Sequence, residues 1–146
     1  MNFPRSGHSL VYNQSRKMVF AVGGFLKEGG YMKQTEVYSI DNKQWYTLGE
    51  LKIERSKPTV CLHQDTIYVF GGITTNGKVF DCPAEKFNYE TREWEGLSYD
   101  GYDYPFITNS TPSTSLLSLQ NSKNLLLFGG SNITNKTNIV QKMVLK

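Results

Sequence analysis

Cysteine is scarce in this chain of 146 residues: Cys61 and Cys82 are the only two, with no CxxC pair and no histidine at ligand spacing. That argues against a disulfide framework and a zinc site, and both are read as unpaired thiols suited to a reducing compartment. No apolar stretch approaches the roughly 20 residues of a membrane span. The opening "MNFPRSGHSLVYN" lacks the apolar core of a secretory leader. A soluble intracellular protein, cytoplasmic or cytoskeletal, is expected. Charge of one sign is also missing, since 16 basic and 13 acidic side chains leave a net charge of +3 without a run of Lys or Arg. Neither nucleic acid nor a membrane is an expected partner. Four N-x-S/T triplets, at Asn13, Asn109, Asn132 and Asn135, carry little weight in a chain rich in asparagine. What the chain does have is 38% apolar and 13% aromatic residues, enough for a packed core.

It also has an internal repeat. A double glycine follows an apolar run three times: "MVFAVGG" ends at Gly24, "TIYVFGG" at Gly72 and "NLLLFGG" at Gly130. Other residues keep step. In "EVYSIDNKQWYTL" and "EKFNYETREWEGL", Tyr38 aligns with Phe87, Asp41 with Glu90, Lys43 with Arg92, Trp45 with Trp94 and Leu48 with Leu97. Upstream, Arg5 and Arg55 each stand a few residues before a strand-like segment, which turns through a short polar stretch into the run that ends in the glycines. Each unit of about 48 residues reads as four short strands, here called a to d. In the first they span Ser9 to Tyr12, Met18 to Val22, Thr35 to Ile40 and Gln44 to Leu48.

A double glycine, an aromatic some 14 residues later and a tryptophan seven residues beyond resemble the kelch repeat. The resemblance covers all but the segment around positions 98 to 113, and implies an all-β fold of propeller blades. The expected organisation is blade 1 over 1–50, blade 2 over 51–97, a Tyr-rich insertion over 98–113 and a partial third blade over 114–146 without its outer strand. This is an incomplete propeller: two complete four-stranded blades and part of a third.

The glycines raise a choice between ligand and backbone. A phosphate loop needs a helix whose first amides face the anion, whereas "FLKEGGYM", "ITTNGKVF" and "SNITNKTN" have no helical period. Gly23, Gly24, Gly71, Gly72, Gly129 and Gly130 are therefore assigned to the end of the second strand, where they permit positive φ and close approach of a neighbour. Trp45 and Trp94, with Tyr38 and Phe87 nearby, are expected to fill the gap between blades. Lys43 and Arg92 read as solvated turn charges.

In an up-and-down blade the b–c loops and the d–a connections share one face. The b–c loops are Phe25 to Gln34, Ile73 to Pro83 and Ser131 to Asn138. They carry Tyr31, Lys78 and Phe80, while the d–a insertion "SYDGYDYPFITNSTP" carries Tyr99, Tyr102, Tyr104 and Phe106. Large amphipathic rings on loops suit partner recognition; the insertion could equally fold back over an apolar edge. Arg5 and Arg55 lie at the same end. In proteins that kelch repeats resemble, such an Arg often faces a partner carboxylate, and pinning nearby backbone carbonyls is the alternative.

No catalytic pattern stands out. Enzymes occur on propeller scaffolds, but the S-x-D-x-G-x-T-W repeat and a nucleophile elbow are absent, and His8 and His63 hold different places in their blades. No catalytic residue, metal or cofactor is expected. An open propeller leaves unpaired edges and apolar faces, so further kelch blades, from the same or another chain, are expected partners. The resemblance implies a protein-binding scaffold or adaptor, as in ubiquitin-ligase substrate capture. A structural subunit of a cytoskeletal or ciliary assembly, bound through its open blade edges, is the other reading.

Overall fold

The computed structural model describes residues 1–75 and 84–97 with their side chains, together with the backbone of Ser110–Ser118, Asn124–Ser131 and Val140–Val144. Lys78, Phe80, Cys82, Tyr99, Tyr102, Tyr104 and Phe106 lie outside the described residues.

The first blade is an antiparallel sheet of β1 (Ser9–Asn13), β2 (Met18–Val22), β5 (Thr35–Ser39) and β6 (Gln44–Thr47), in that spatial order. Between its second and third strands, β3 (Phe25–Leu26) and β4 (Gly30–Tyr31) form a small hairpin, so the b–c connection read as a loop is itself partly paired. The second blade repeats the plan with β7 (Thr59–His63), β8 (Thr66–Phe70), β9 (Ala84–Asn88) and β10 (Glu93–Gly96). A third sheet follows, built from β11 (Ser110–Ser118), β12 (Asn124–Ser131) and β13 (Val140–Val144). The first two sheets are the antiparallel four-stranded blades of a propeller.

Local chemistry explains the turns. Gln64 and Asp65 both have positive φ, 46° and 64°, and join β7 to β8 in the two-residue hairpin whose twist matches that of its strands. Lys43 and Arg92 take φ of 54° and 59° in the c–d turns, with their side chains exposed as expected. Gly23 and Gly24 have φ of 63° and 118°, and Gly71 and Gly72 have 57° and 99°. A Cβ on Gly23 would come within 2.3 Å of the Arg55 carbonyl oxygen, so both the backbone angle and the neighbour demand glycine there.

The third unit departs from the expectation. Its strand runs through Gly129 and Gly130 to Ser131, because β11 is long enough to pair Thr114 with Gly129 and, past an irregularity, Ser110 with Ser131. That strand also starts inside the segment 98–113 assigned to an insertion.

Alternation of side chains sends one set of each blade to one neighbour and the other set to the opposite side. Phe20, Val22 and Val37 of blade 1 meet Ile67, Val69, Phe87 and Trp94 of blade 2 in a buried cluster completed by Leu51. Phe20 stands edge-on to Phe87 with ring centroids 5.8 Å apart. The main core thus lies between blades, and neither sheet buries its apolar face alone.

Candidate functional site

The segment entering each blade is stitched to the connection between that blade's second and third strands. Ser6 and Phe25 exchange backbone hydrogen bonds of 3.0 and 2.8 Å, and Ser56 and Ile73 repeat the exchange at 2.9 and 2.7 Å. The connection between blades crosses the same region: Gly24 N–H donates to the Arg55 carbonyl at 2.8 Å, and Arg55 N–H donates to that of Met32 at 3.1 Å. The b–c loops and d–a connections therefore form one continuous backbone surface, as the topology predicts.

Beneath that surface lies a repeated polar clamp. Arg55 Nη2 pairs with Glu85 Oε1 at 2.7 Å, both side chains fully buried, and Arg55 Nη1 donates to the Gly71 carbonyl at 2.7 Å. Lys52 N–H donates to the other Glu85 oxygen at 2.7 Å, which ties the incoming connection to the third strand. In blade 1, Arg5 Nη2 pairs with Glu36 at 2.7 Å, and Arg5 Nη1 donates to the Gly23 and Gln34 carbonyls, each at 2.8 Å. Burial lowers the Arg5 pKa, opposed by the Glu36 charge and hydrogen bond.

These contacts correct one expectation. Arg5 and Arg55 do not face outward to a partner's carboxylate: each guanidinium is turned inward, where a carboxylate of its own blade and the carbonyl of the first glycine hold it. Pinning backbone carbonyls, the alternative, is what the geometry shows. Their partners Glu36 and Glu85 were missed. Both stand two residues before the aligned aromatics Tyr38 and Phe87, so the repeat itself carried the signal.

Of the other site residues, Tyr31 is half-buried on the β3–β4 hairpin, edge-on to Phe25 at 5.6 Å, and Phe25 is exposed. Tyr38 packs beside Trp45 at 5.3 Å and Phe87 beside Trp94 at 5.3 Å, the paired-ring packing the spacing implied. Trp94 is fully buried and its Nε1–H donates to Thr35 Oγ1 of blade 1 at 3.0 Å, a bond between blades. A second polar link sits at the a–b turns. Asn13 Nδ2 donates to Asp65 Oδ1 at 2.8 Å and to Tyr89 Oη at 2.9 Å, and the Arg16 guanidinium lies 3.8 Å from the Tyr89 ring centroid. Hydrogen bonds from Ser15, Asn13 and Arg16 hold the Asp65 carboxyl below its ordinary range.

Burial pushes the Cys61 thiol up to about 12. It lowers the His8 pKa, with help from the charge of Arg5 and against that of Glu36. His63 is buried with its ring against Tyr68, centroids 6.3 Å apart. Among the described residues, no three His, Cys, Asp or Glu side chains are grouped as a metal would need, and no helix is long and apolar enough to cross a membrane.

Four-stranded antiparallel blades, the second packed face to face on the first through Trp94, define a β-propeller class of protein. The kelch motif matches residues 54–99, which span blade 2 and the segment leading into it. The chain is 28% identical over 97 residues to alpha-scruin of Limulus polyphemus, a match covering 62% of this chain and 10% of that protein. It is 27% identical over 89 residues to kelch-like protein 41a of Danio rerio, covering 61% of this chain and 14% of the relative. Kelch-like protein 28 of Homo sapiens is 30% identical over 87 residues, covering 56% and 15%. The matches thus take in only a small part of each relative's length. This chain carries a kelch motif and is similar to kelch-repeat proteins.

Proposed function

We propose that the chain is a non-catalytic kelch-type interaction module, a scaffold or adaptor inside the cell that presents its b–c loops and d–a connections to a protein partner. The observation that carries this reading is the stitching of those segments into one face over the Arg–Glu clamps. Loops held on such a base bind with little ordering cost. Phe25 and Tyr31 give that face an aromatic edge on a hairpin, and the rings at Tyr99, Tyr102, Tyr104 and Phe106 belong to the next d–a connection. Lys78 and Phe80 belong to the b–c loop of blade 2. Arg5 and Arg55 support the face from below rather than touching the partner.

The test is affinity capture with the full chain and with a variant carrying Tyr31→Ser, Tyr102→Ser and Tyr104→Ser. Loss of specifically captured proteins with the strand signal intact in circular dichroism supports the reading. Capture unchanged by all three substitutions opposes it. A second reading, a structural subunit held in an assembly through its blade faces, draws on the exposed apolar side chains Leu10 and Tyr12 of blade 1.

A further inference from the structure

The outer strands of the two blades hold the same place and differ in charge. β6 consists of Gln44, Trp45, Tyr46 and Thr47, and β10 of Glu93, Trp94, Glu95 and Gly96. Each is the last strand of its sheet, with a neighbour on one side only, β5 or β9. Open sheet edges of this kind are ordinarily blunted by charged side chains. β10 follows that rule: Glu95 pairs with Lys86 at 3.4 Å and accepts from Asn88 Nδ2 at 2.6 Å. β6 carries no charge, and its Trp45, Tyr46 and Thr47 all favour strands.

The register shows which backbone groups this edge offers. Leu48 N–H donates to the Thr35 carbonyl at 2.9 Å, so by alternation Val37 with Tyr46 and Ser39 with Gln44 are the hydrogen-bonded pairs of β5 and β6. Trp45 and Thr47, opposite Tyr38 and Glu36, turn their N–H and C=O groups to the open side. Those groups have no partner among the described residues. Between them stands Tyr46, 40% exposed, whose hydroxyl donates to Gln44 at 3.4 Å and accepts from Asn42 at 3.3 Å. Its ring is therefore already held in place beside the edge.

We propose that β6 pairs antiparallel with β6 of a second copy of this chain, about a twofold axis between the two Tyr46 residues. In that register Trp45 exchanges both backbone bonds with Thr47 of the second copy, and Thr47 does the same with its Trp45. Every outward group finds a partner. Tyr46 meets Tyr46 at the close, non-hydrogen-bonded position, where aromatic pairs stabilise a sheet. The antiparallel course also carries Lys43 of one copy toward Glu50 of the other, both exposed and opposite in charge. Charge decides which edge is used: the same pairing of β10 would set Glu95 against Glu95, and like charges directly opposite destabilise. A twofold contact of identical surfaces is closed, so association stops at two copies. The surface is the outer rim of blade 1, so the proposal depends neither on the loop reading nor on how many blades the propeller holds.

The experiment is sedimentation velocity of the full chain over about 10 to 300 μM, the range suited to a contact well below standard interface size. Expected is reversible association from the 16.6 kDa chain to twice that mass. Tyr46→Glu, at an exposed position, should leave circular dichroism unchanged and weaken association about tenfold or more. Two cysteine variants in a Cys82→Ser background then test the register. Tyr46→Cys sets two thiols across the twofold with Cα atoms about 4.5 Å apart, within disulfide reach, whereas Gln44→Cys lies opposite Leu48 of the second copy. Mild oxidation should link the Tyr46→Cys chains at least about tenfold faster than the Gln44→Cys chains. A chain that stays single throughout the range, association unchanged by Tyr46→Glu, or equal linking of the two cysteine variants overturns the proposal. Capture of another protein that Tyr46→Glu abolishes, by a chain that itself stays single, would assign the edge to a foreign strand and overturn it as well.

Discussion

Replacing Glu85 by glutamine keeps the shape of the clamp in blade 2 and removes its negative charge. The carboxylate accepts from Arg55 Nη2 and from Lys52 N–H, each at 2.7 Å, and both charged side chains are fully buried. Glutamine can still accept one of these bonds, but it removes the negative charge that Glu85 sets against the guanidinium. Breaking one side of a buried pair costs about 3 to 5 kcal/mol, and the retained Arg55 bond to the Gly71 carbonyl favours the lower end. We therefore expect Glu85→Gln to destabilise the chain by about 3 kcal/mol, read as the shift of the urea unfolding midpoint at fixed protein concentration and unchanged slope. Arg55→Met should cost a similar amount, and the double variant Arg55→Met with Glu85→Leu less than the sum of the two single changes. A Glu85→Gln chain within about 0.5 kcal/mol of wild type, the range of an ordinary surface change, would refute the clamp as a structural keystone.

Two further outcomes follow from the packing between blades. Trp94→Phe removes the bond to Thr35 and leaves a gap between the sheets, so it should cost about 2 kcal/mol in the same urea assay; a neutral result would contradict the placement of that ring. The Cys61 thiol, raised from 9.0 to about 12, should react with a thiol reagent at pH 8 roughly a thousandfold more slowly than in unfolded chain, measured in a Cys82→Ser background. Because the folded form favours the protonated thiol, this group's contribution to stability is complete below pH 9.0 and is lost as pH rises toward 12. Labelling at the unfolded rate would show the thiol to be open.

The strand plan was legible because three signals agreed. Apolar alternation marked the strands, the double glycine marked the end of the second strand, and Trp45 and Trp94 fixed the spacing of the fourth. The observed first-blade strands lie within one residue of those expected. The third unit was less legible, since β12 passes through its glycines: a double glycine permits a chain to turn but does not force it, and the long β11 supplies pairing partners beyond it. Arg5 and Arg55 were found by position and misread in direction. An arginine before a strand is the same residue whether it meets a partner's carboxylate or its own blade's, and only the spatial neighbour, Glu36 or Glu85, decides. Thr35 carried no signal of its own, because its role depends on a tryptophan 59 residues away in the next blade.

The loop face is tested most directly by cross-linking the captured complex with an amine-reactive reagent and locating the linked lysines by mass spectrometry. Lys27, Lys33 and Lys57 lie on the b–c loop or the d–a connection, and exposed Lys17 and Lys43 lie in the a–b and c–d turns at the opposite end of the blades. The account predicts links from the partner to Lys27, Lys33 and Lys57, with Lys17 and Lys43 unlinked. Links concentrated at Lys17 and Lys43 would contradict it.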